Sequence, residues 1–410
     1  MSSHRRLVTL FLLPVLALAS ACRQDPVSPG APEAGAPSAD AVTAAAALVF
    51  RHVSPGMRAH TCGVTTTNLA YCWGNNGFGD DYGPLGDGTE VILRLRPVAV
   101  AGGLRFRQVS AGWGHSCGVT TDDRAYCWGL NTDGALGDGT NASTRRPVAV
   151  AGGLRFRVVE TGPFHTCGLT AAGRAYCWGN NNFGLLGDGT TNRRNAPVAV
   201  LGGHTFAQIS ASWEHTCAVK ASGEAWCWGS NRFGQLGIGT TVNRKQRPAT
   251  VVGGHLFAQI SAGGDQQRGT TCAVTKDHKA YCWGDGGLGR RGDNTTGGAV
   301  TSPRAVAGSH LFDQIAVGHF HTCAVNTNDQ AWCWGYNFFG ELGDGTTTQR
   351  LKPMKVLGML PFAQLSTGSG WTCGTTTAGV GYCWGGNIDG TVGDNTGDDR
   401  RVPTRVVGPM

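Results

Sequence analysis

Phe206-Ala-Gln-Ile-Ser, Cys217-Ala-Val-Lys and Ala225-Trp-Cys-Trp-Gly, then a glycine-rich stretch from Ser230 to Arg247 and a segment opening at Pro248, decide the fold. The first piece alternates apolar and polar residues as a half-buried strand does, and the next two flank a Ser-Gly turn. The Pro248 segment supplies a fourth strand. Cys-Trp-Gly recurs at Cys72, Cys127, Cys177, Cys227, Cys282, Cys333 and Cys383, and ten residues before each stands a partner: Cys62, Cys117, Cys167, Cys217, Cys272, Cys323 and Cys373. Successive spacings are 55, 50, 50, 55, 51 and 50 residues. Four short strands in a unit of this period, repeated seven times, describe propeller blades rather than a sandwich. The expectation is an all-β, seven-bladed β-propeller over residues 48–410, with four antiparallel strands per blade.

Composition agrees. The 410 residues include 65 glycines, and only 15% are charged, which suits many strands joined by tight turns and disfavours helical bundles. Residues 1–21 read as an export signal: Arg5 and Arg6 precede the apolar run Leu7 to Ala21, too short to span a bilayer as a mature helix. Leu18-Ala-Ser-Ala-Cys22 resembles the lipobox of bacterial lipoproteins, making Cys22 a candidate lipidated N-terminus, although Ala19-Ser-Ala21 equally serves plain signal cleavage. Residues 22–47 are rich in Pro, Ala, Ser and Gly and read as a flexible tether. Without residues 1–21 the charge is 32 − 27 = +5, too mild to argue for nucleic acid. The expected location is the outer membrane or cell surface, otherwise the periplasm or exterior, with membrane contact only through the lipid and a monomeric propeller.

The phrases Gly-x-x-His-Thr-Cys-Ala-Val, Ala-Tyr-Cys-Trp-Gly-x-Asn and Gly-x-Leu-Gly-Asp-Gly-Thr, with the Pro-Val strand, resemble the regulator-of-chromosome-condensation repeat across residues 48–410. The resemblance implies the seven-bladed propeller. Nucleotide exchange on a small GTPase, the family's best-known activity, is a weaker implication, because fold rarely fixes function. The Pro-Val strand and the following Phe strand, joined tightly in Val98-Ala-Val-Ala-Gly-Gly-Leu-Arg-Phe106, read as hairpin partners. The long glycine-rich segment would then cross between blades, and Pro403-Thr-Arg-Val-Val407 would complete the first blade and close the ring.

The paired cysteines fall opposite one another across a hairpin, within reach of a bond, and the export signal favours seven local disulfides over metal binding. The tryptophan of each Cys-Trp-Gly reads as packing between blades. His60, His115, His165, His215 and His321 stand two residues before a cysteine, where Thr270 and Trp371 replace them. A histidine ring invites a metal hypothesis, but without carboxylate or free thiolate partners hydrogen bonding to backbone is the better reading. Asp87, Asp138, Asp188 and Asp344 read as Asp-Gly turn residues, and Arg291-Gly-Asp293 as a chance match to an adhesion tripeptide. The arginines after these turns (Arg94, Arg194, Arg350 and Arg400 among them) read as local ion-pair partners before a polyanion belt.

No catalytic triad, paired-carboxylate set or phosphate loop stands out, so the expectation is no catalytic residue, no cofactor and no metal. The leading function is a binding module for a protein or envelope polymer. Alternatives are the exchange factor, an inhibitor of an extracellular enzyme, and a polymer-cleaving enzyme with its site at the ring mouth. Connections alternate between the two faces of an up-and-down blade, so the loop before each His-Thr-Cys and the long glycine-rich segment share one face. That face gathers both five-residue insertions, at Asp80-Asp81-Tyr82 and Asp265-Gln266-Gln267-Arg268, with Trp113, Phe164, Trp213, Phe320 and Trp371. These are the candidate binding residues.

Overall fold

The computed structural model of the chain describes residues 48–77 and 82–409. Cys22, the segment 1–47, Asp80 and Asp81 lie outside the described residues. Within them, 28 strands form seven four-stranded antiparallel sheets. The strands of the first blade are Phe50–Pro55, His60–Thr65, Ala70–Asn75 and Leu93–Ala99, paired in sequence order. The first strands of successive blades contact one another in a closed cycle, which puts them around the axis.

Each blade is contiguous in sequence, which corrects the expected strand pairing. The Pro-Val strand Leu93–Ala99 pairs with Ala70–Asn75 of its own blade, not with the following Phe strand. The Gly-Gly link is therefore the crossing between blades, and the long glycine-rich segment stays inside one. The six residues 100–105 span at most about 20 Å. That is enough to return from the outermost strand to the axis across three interstrand spacings of about 4.8 Å. The C-terminal strand Arg400–Arg405 likewise pairs with Gly381–Gly385 in the last blade and does not complete the first. The face assignment survives, because it depends only on strands alternating in direction.

What closes the ring is a latch repeated at every junction. The tryptophans Trp73, Trp128, Trp178, Trp228, Trp283, Trp334 and Trp384 are fully buried. Each indole N–H donates to a carbonyl in the glycine-rich segment of the preceding blade, as Trp178 Nε1 does to Ala135 O at 2.9 Å. The hydroxyl before each second-strand cysteine donates to the same oxygen, as Thr166 Oγ1 does to Ala135 O at 2.9 Å. At the terminal junction Trp73 Nε1 and Thr61 Oγ1 both reach Thr391 O at 2.9 Å. Bridge pairing of Val49 with Val380 adds to the same seam.

Seven apolar clusters fill the seven junctions. In the first of them Cys62 and Cys72 pack with Phe106, Val109 and Trp128 of the next blade. All fourteen cysteines of the repeats are bonded in the expected pairs, with Cα atoms 4.0–4.1 Å apart. Each bridge closes a ten-residue separation, for which chain entropy gives about 2.5–3 kcal/mol.

Gly137 shows why the segment is glycine-rich. Its φ is +69°, and a Cβ there would lie 2.5 Å from Trp178 Nε1. Gly137→Ala should cost about 2–4 kcal/mol, combining the positive-φ penalty with overpacking against the indole. Trp178→Phe should cost about 1–2 kcal/mol more than its lost area, through the unsatisfied half of the Ala135 carbonyl. Denaturant unfolding checks both, and a neutral Gly137→Ala would contradict the latch.

Candidate binding face

The second and third strands of each blade are cross-linked, and the glycine-rich segment between the third and fourth is held by its own side-chain network. In the second blade Asn131 Nδ2 donates to Asp138 Oδ1 at 3.2 Å and to Ala142 O at 3.1 Å, while its Oδ1 accepts Leu136 N. The aspartates of these turns then pair with arginines: Arg94–Asp87 at 2.9 Å, Arg194–Asp188 at 2.9 Å, Arg350–Asp344 at 2.7 Å and Arg400–Asp394 at 2.6 Å. Hydrogen bonds from the neighbouring threonine and the paired arginine outweigh burial and hold each of these carboxyls below its usual range. In the fifth blade Arg291 turns inward to Asp293 at 3.0 Å and both side chains are buried, so the adhesion-like tripeptide is not displayed.

The five ring histidines tie blades together. Their Nε2 atoms meet a hydroxyl of the next blade: His60–Ser116 at 2.9 Å, His115–Thr166 at 3.0 Å, His165–Thr216 at 3.1 Å, His215–Thr271 at 2.8 Å and His321–Thr372 at 2.7 Å. The partner is thus a side-chain hydroxyl, where the backbone was expected. Trp371 takes the histidine's place at the closing junction, its Nε1 donating to Thr61 Oγ1 at 3.0 Å.

The insertion in the fifth blade lengthens a hairpin, Phe257–Gly264 against Gly269–Thr275. Asp265 accepts the backbone N–H groups of Gln267 and Arg268 at its tip, leaving Gln266, Gln267 and Arg268 exposed. Around the rest of the face the rings make one continuous file. Trp113 lies 5.2 Å from Phe164, Phe164 5.5 Å from Trp213, and Trp213 stacks 5.6 Å from His319 in the sixth blade. From there the file runs through Phe320, Tyr336 and Phe338 to Phe339. At its other end the Arg58 guanidinium lies 4.1 Å over Trp113 and donates to Tyr82 Oη at 2.7 Å. Of the aromatics singled out from the sequence, Trp113, Phe164 and Phe320 are half-buried, whereas Tyr82, Trp213 and Trp371 are buried.

Beside Trp371 the face opens into a cavity of about 480 Å³ between the sixth, seventh and first blades. Arg58, His319, Tyr336, Phe338, Phe339 and the residues from Ile388 to Asp399 that shape this region escape a reading based on the repeat. Their one signal is departure from it, as in Tyr336-Asn-Phe338-Phe339 against Asn180-Asn-Asn-Phe183.

With fold and face in view, comparison with known proteins places the class. The RCC1-like domain matches residues 146–410, and the regulator of chromosome condensation (RCC1) repeat matches residues 58–80, 106–135 and 122–169. The chain belongs to the RCC1-like propeller family. The ultraviolet-B receptor UVR8 of Arabidopsis thaliana is 32% identical over 105 residues, which is 25% of this chain and 23% of that protein. The human E3 ubiquitin-protein ligase HERC2 is 36% identical over 86 residues, 20% of this chain and 2% of its own. The matches thus span about a quarter or less of these relatives. Among solved structures, yeast RCC1 (Prp20) bound to Kap60 superposes with a TM-score of 0.73 at 20% identity, covering 84% of each chain. Human WBSCR16 does so with 0.71 at 20% identity, over 87% of this chain and 94% of that one. Likeness at this identity establishes the fold.

Burial pushes the ring histidines down, to about 3 for His60, His165, His215 and His321 and about 4 for His115. Folded, they stay neutral where the unfolded chain takes up protons below about 6.5. The histidines' contribution to stability is therefore full above pH 6.5 and falls as pH drops toward their folded values, by about 1.4 kcal/mol per histidine per pH unit. Glu160 and Glu341, pushed up to about 7 by burial, act in the opposite sense but are outnumbered. The melting temperature should drop steadily from pH 6.5 to 4.5, with a shallower slope in His115→Gln. Melting that is flat across this range would contradict the assignment.

Proposed function

We propose that the chain is an exported binding module, tethered at the cell envelope, that recognises a partner through the loop-bearing face of its propeller. The observation that carries this reading is the continuous aromatic file on that face, flanked by the exposed hairpin tip at Gln266, Gln267 and Arg268. Aromatic side chains on rigid loops supply contact area with little ordering cost, which is how interface anchors work. Seven disulfides buried at the blade junctions support export, because such bridges persist in oxidising compartments. The lipobox-like stretch ending at Cys22 supports tethering there. Yeast RCC1 (Prp20) is bound to a protein, Kap60, which favours a protein over an envelope polymer as the partner here. Nucleotide exchange rests on family analogy alone.

Phe183 lines a hollow of the same face with Phe164 and Trp213. Two experiments test the reading. The immobilised propeller should capture a partner from native envelope extracts, and Phe164→Ala/Phe183→Ala/Phe338→Ala should weaken capture at least tenfold with little change in melting. Arg105→Ala/Arg155→Ala/Lys276→Ala, on the opposite face, should leave capture intact; the reverse pattern refutes the face assignment. Cys22→Ser should move the protein from the membrane to the soluble fraction, and unchanged fractionation rejects the tether.

A further inference from the structure

The cavity between the sixth, seventh and first blades has a chemistry of its own. Its walls include Phe320, Tyr336, Phe339 and Trp371. Its rim on the seventh-blade side carries three carboxylates, Asp389, Asp398 and Asp399. Asp389 Oδ1 accepts Asn75 Nδ2 at 3.1 Å, and Asp399 Oδ1 accepts Asn387 N at 2.8 Å. Among the described residues none of the three is paired with a cation, unlike the turn aspartates of the same face. Arg58 also borders the cavity, but its guanidinium stacks on Trp113 and bonds Tyr82.

A second observation lies behind Phe339. Glu341 is wholly buried; its Oε2 accepts Phe339 N at 2.8 Å, while its Oε1 has no partner. Burial pushes its carboxyl up to about 7, and the negative charge of Asp399 adds to that rise. Three carboxylates therefore gather around an aromatic-walled hollow whose lining cation among the described residues, Arg58, is directed to Trp113 and Tyr82 and forms no ion pair with them. Aromatic faces attract cations through their quadrupole, and carboxylates at the rim add a charge-assisted hydrogen bond.

Resting on the loop-face reading above, we propose that this cavity receives the side chain of a lysine or arginine carried by a partner polypeptide. A polypeptide fits better than a free cation because the mouth is flanked by exposed apolar residues, Ile388 at 84% and Phe338 at 65%, and Phe338 continues the aromatic file. The aliphatic stem would lie against the rings while the charged end meets the carboxylates.

Sister blades supply test substitutions that the fold already tolerates. Asp398 and Asp399 occupy the places of Ala142 and Ser143 in the second blade, where Ser143 Oγ accepts Asn131 N at 3.0 Å as Asp399 accepts Asn387 N. Asp398→Ala/Asp399→Ser should therefore leave the melting temperature unchanged. The probes are Gly-Ser peptides with a central Lys, Arg, norleucine or Glu flanked by leucines, together with spermidine and arginine methyl ester. Calorimetry on the full chain should show the Lys and Arg peptides binding at least tenfold tighter than the norleucine and Glu peptides. The double variant should erase that preference, and added salt should weaken it. Equal binding of norleucine and lysine peptides, or a variant that keeps the preference, overturns the proposal. Free cations binding as tightly as the peptides overturn the polypeptide assignment in favour of a small cation. If the peptides fail while the Phe164/Phe183/Phe338 variant still loses its envelope partner, the cavity assignment falls and the face reading stands.

Discussion

One buried carbonyl per junction, receiving an indole N–H and a hydroxyl from the next blade, is the interaction on which this ring depends. A backbone oxygen has two lone pairs, and a buried one left unmet costs about 1–3 kcal/mol. Each glycine-rich segment must therefore lie where its carbonyl meets both donors, and a glycine must stand above the indole to let it. The same contact recurs from Pro84 O with Trp128 and Ser116 to Glu341 O with Trp384 and Thr372. Because the last junction uses it too, the ring needs no exchanged strand.

The latch also explains what varies. In the buried half of each glycine-rich segment the glycine over the indole recurs in all seven blades, whereas the latch residue itself varies, from Pro84 to Glu341, because only its carbonyl is used. The outer half of the segment, together with the loop before the second strand, meets no such demand. Change is concentrated there: the lengthened hairpin of the fifth blade, the Tyr336-to-Phe339 aromatics of the sixth and the acidic turn of the seventh. A rigid seven-fold scaffold thus presents one face whose side chains differ from blade to blade, a suitable base for recognition.

The repeat, the blade count, the disulfide pairing and the interblade tryptophans were legible because each is local: a period, a ten-residue spacing, an apolar residue on a short strand. Strand pairing was not. Val100 to Arg105 is as short as a hairpin turn, and only the geometry of a radial sheet shows that such a link returns to the axis. Trp371 is a candidate anchor in the sequence because it stands among the aromatics of the loop-bearing face. Yet its indole makes the bond to the next blade's hydroxyl that histidine makes elsewhere, and one ring face still borders the cavity. The cavity itself was invisible, since Asp399 and Phe320 come from different blades and only the folded ring brings them together.

Exchange of the Trp73 indole proton tests ring closure most directly, because that N–H crosses the junction between the chain's first and last blades. Measured by NMR beside the other six latch tryptophans, it should show protection comparable to theirs. A Trp73 proton that exchanges at the rate of an exposed indole, while the others remain protected, would mean that the ring is open at this seam.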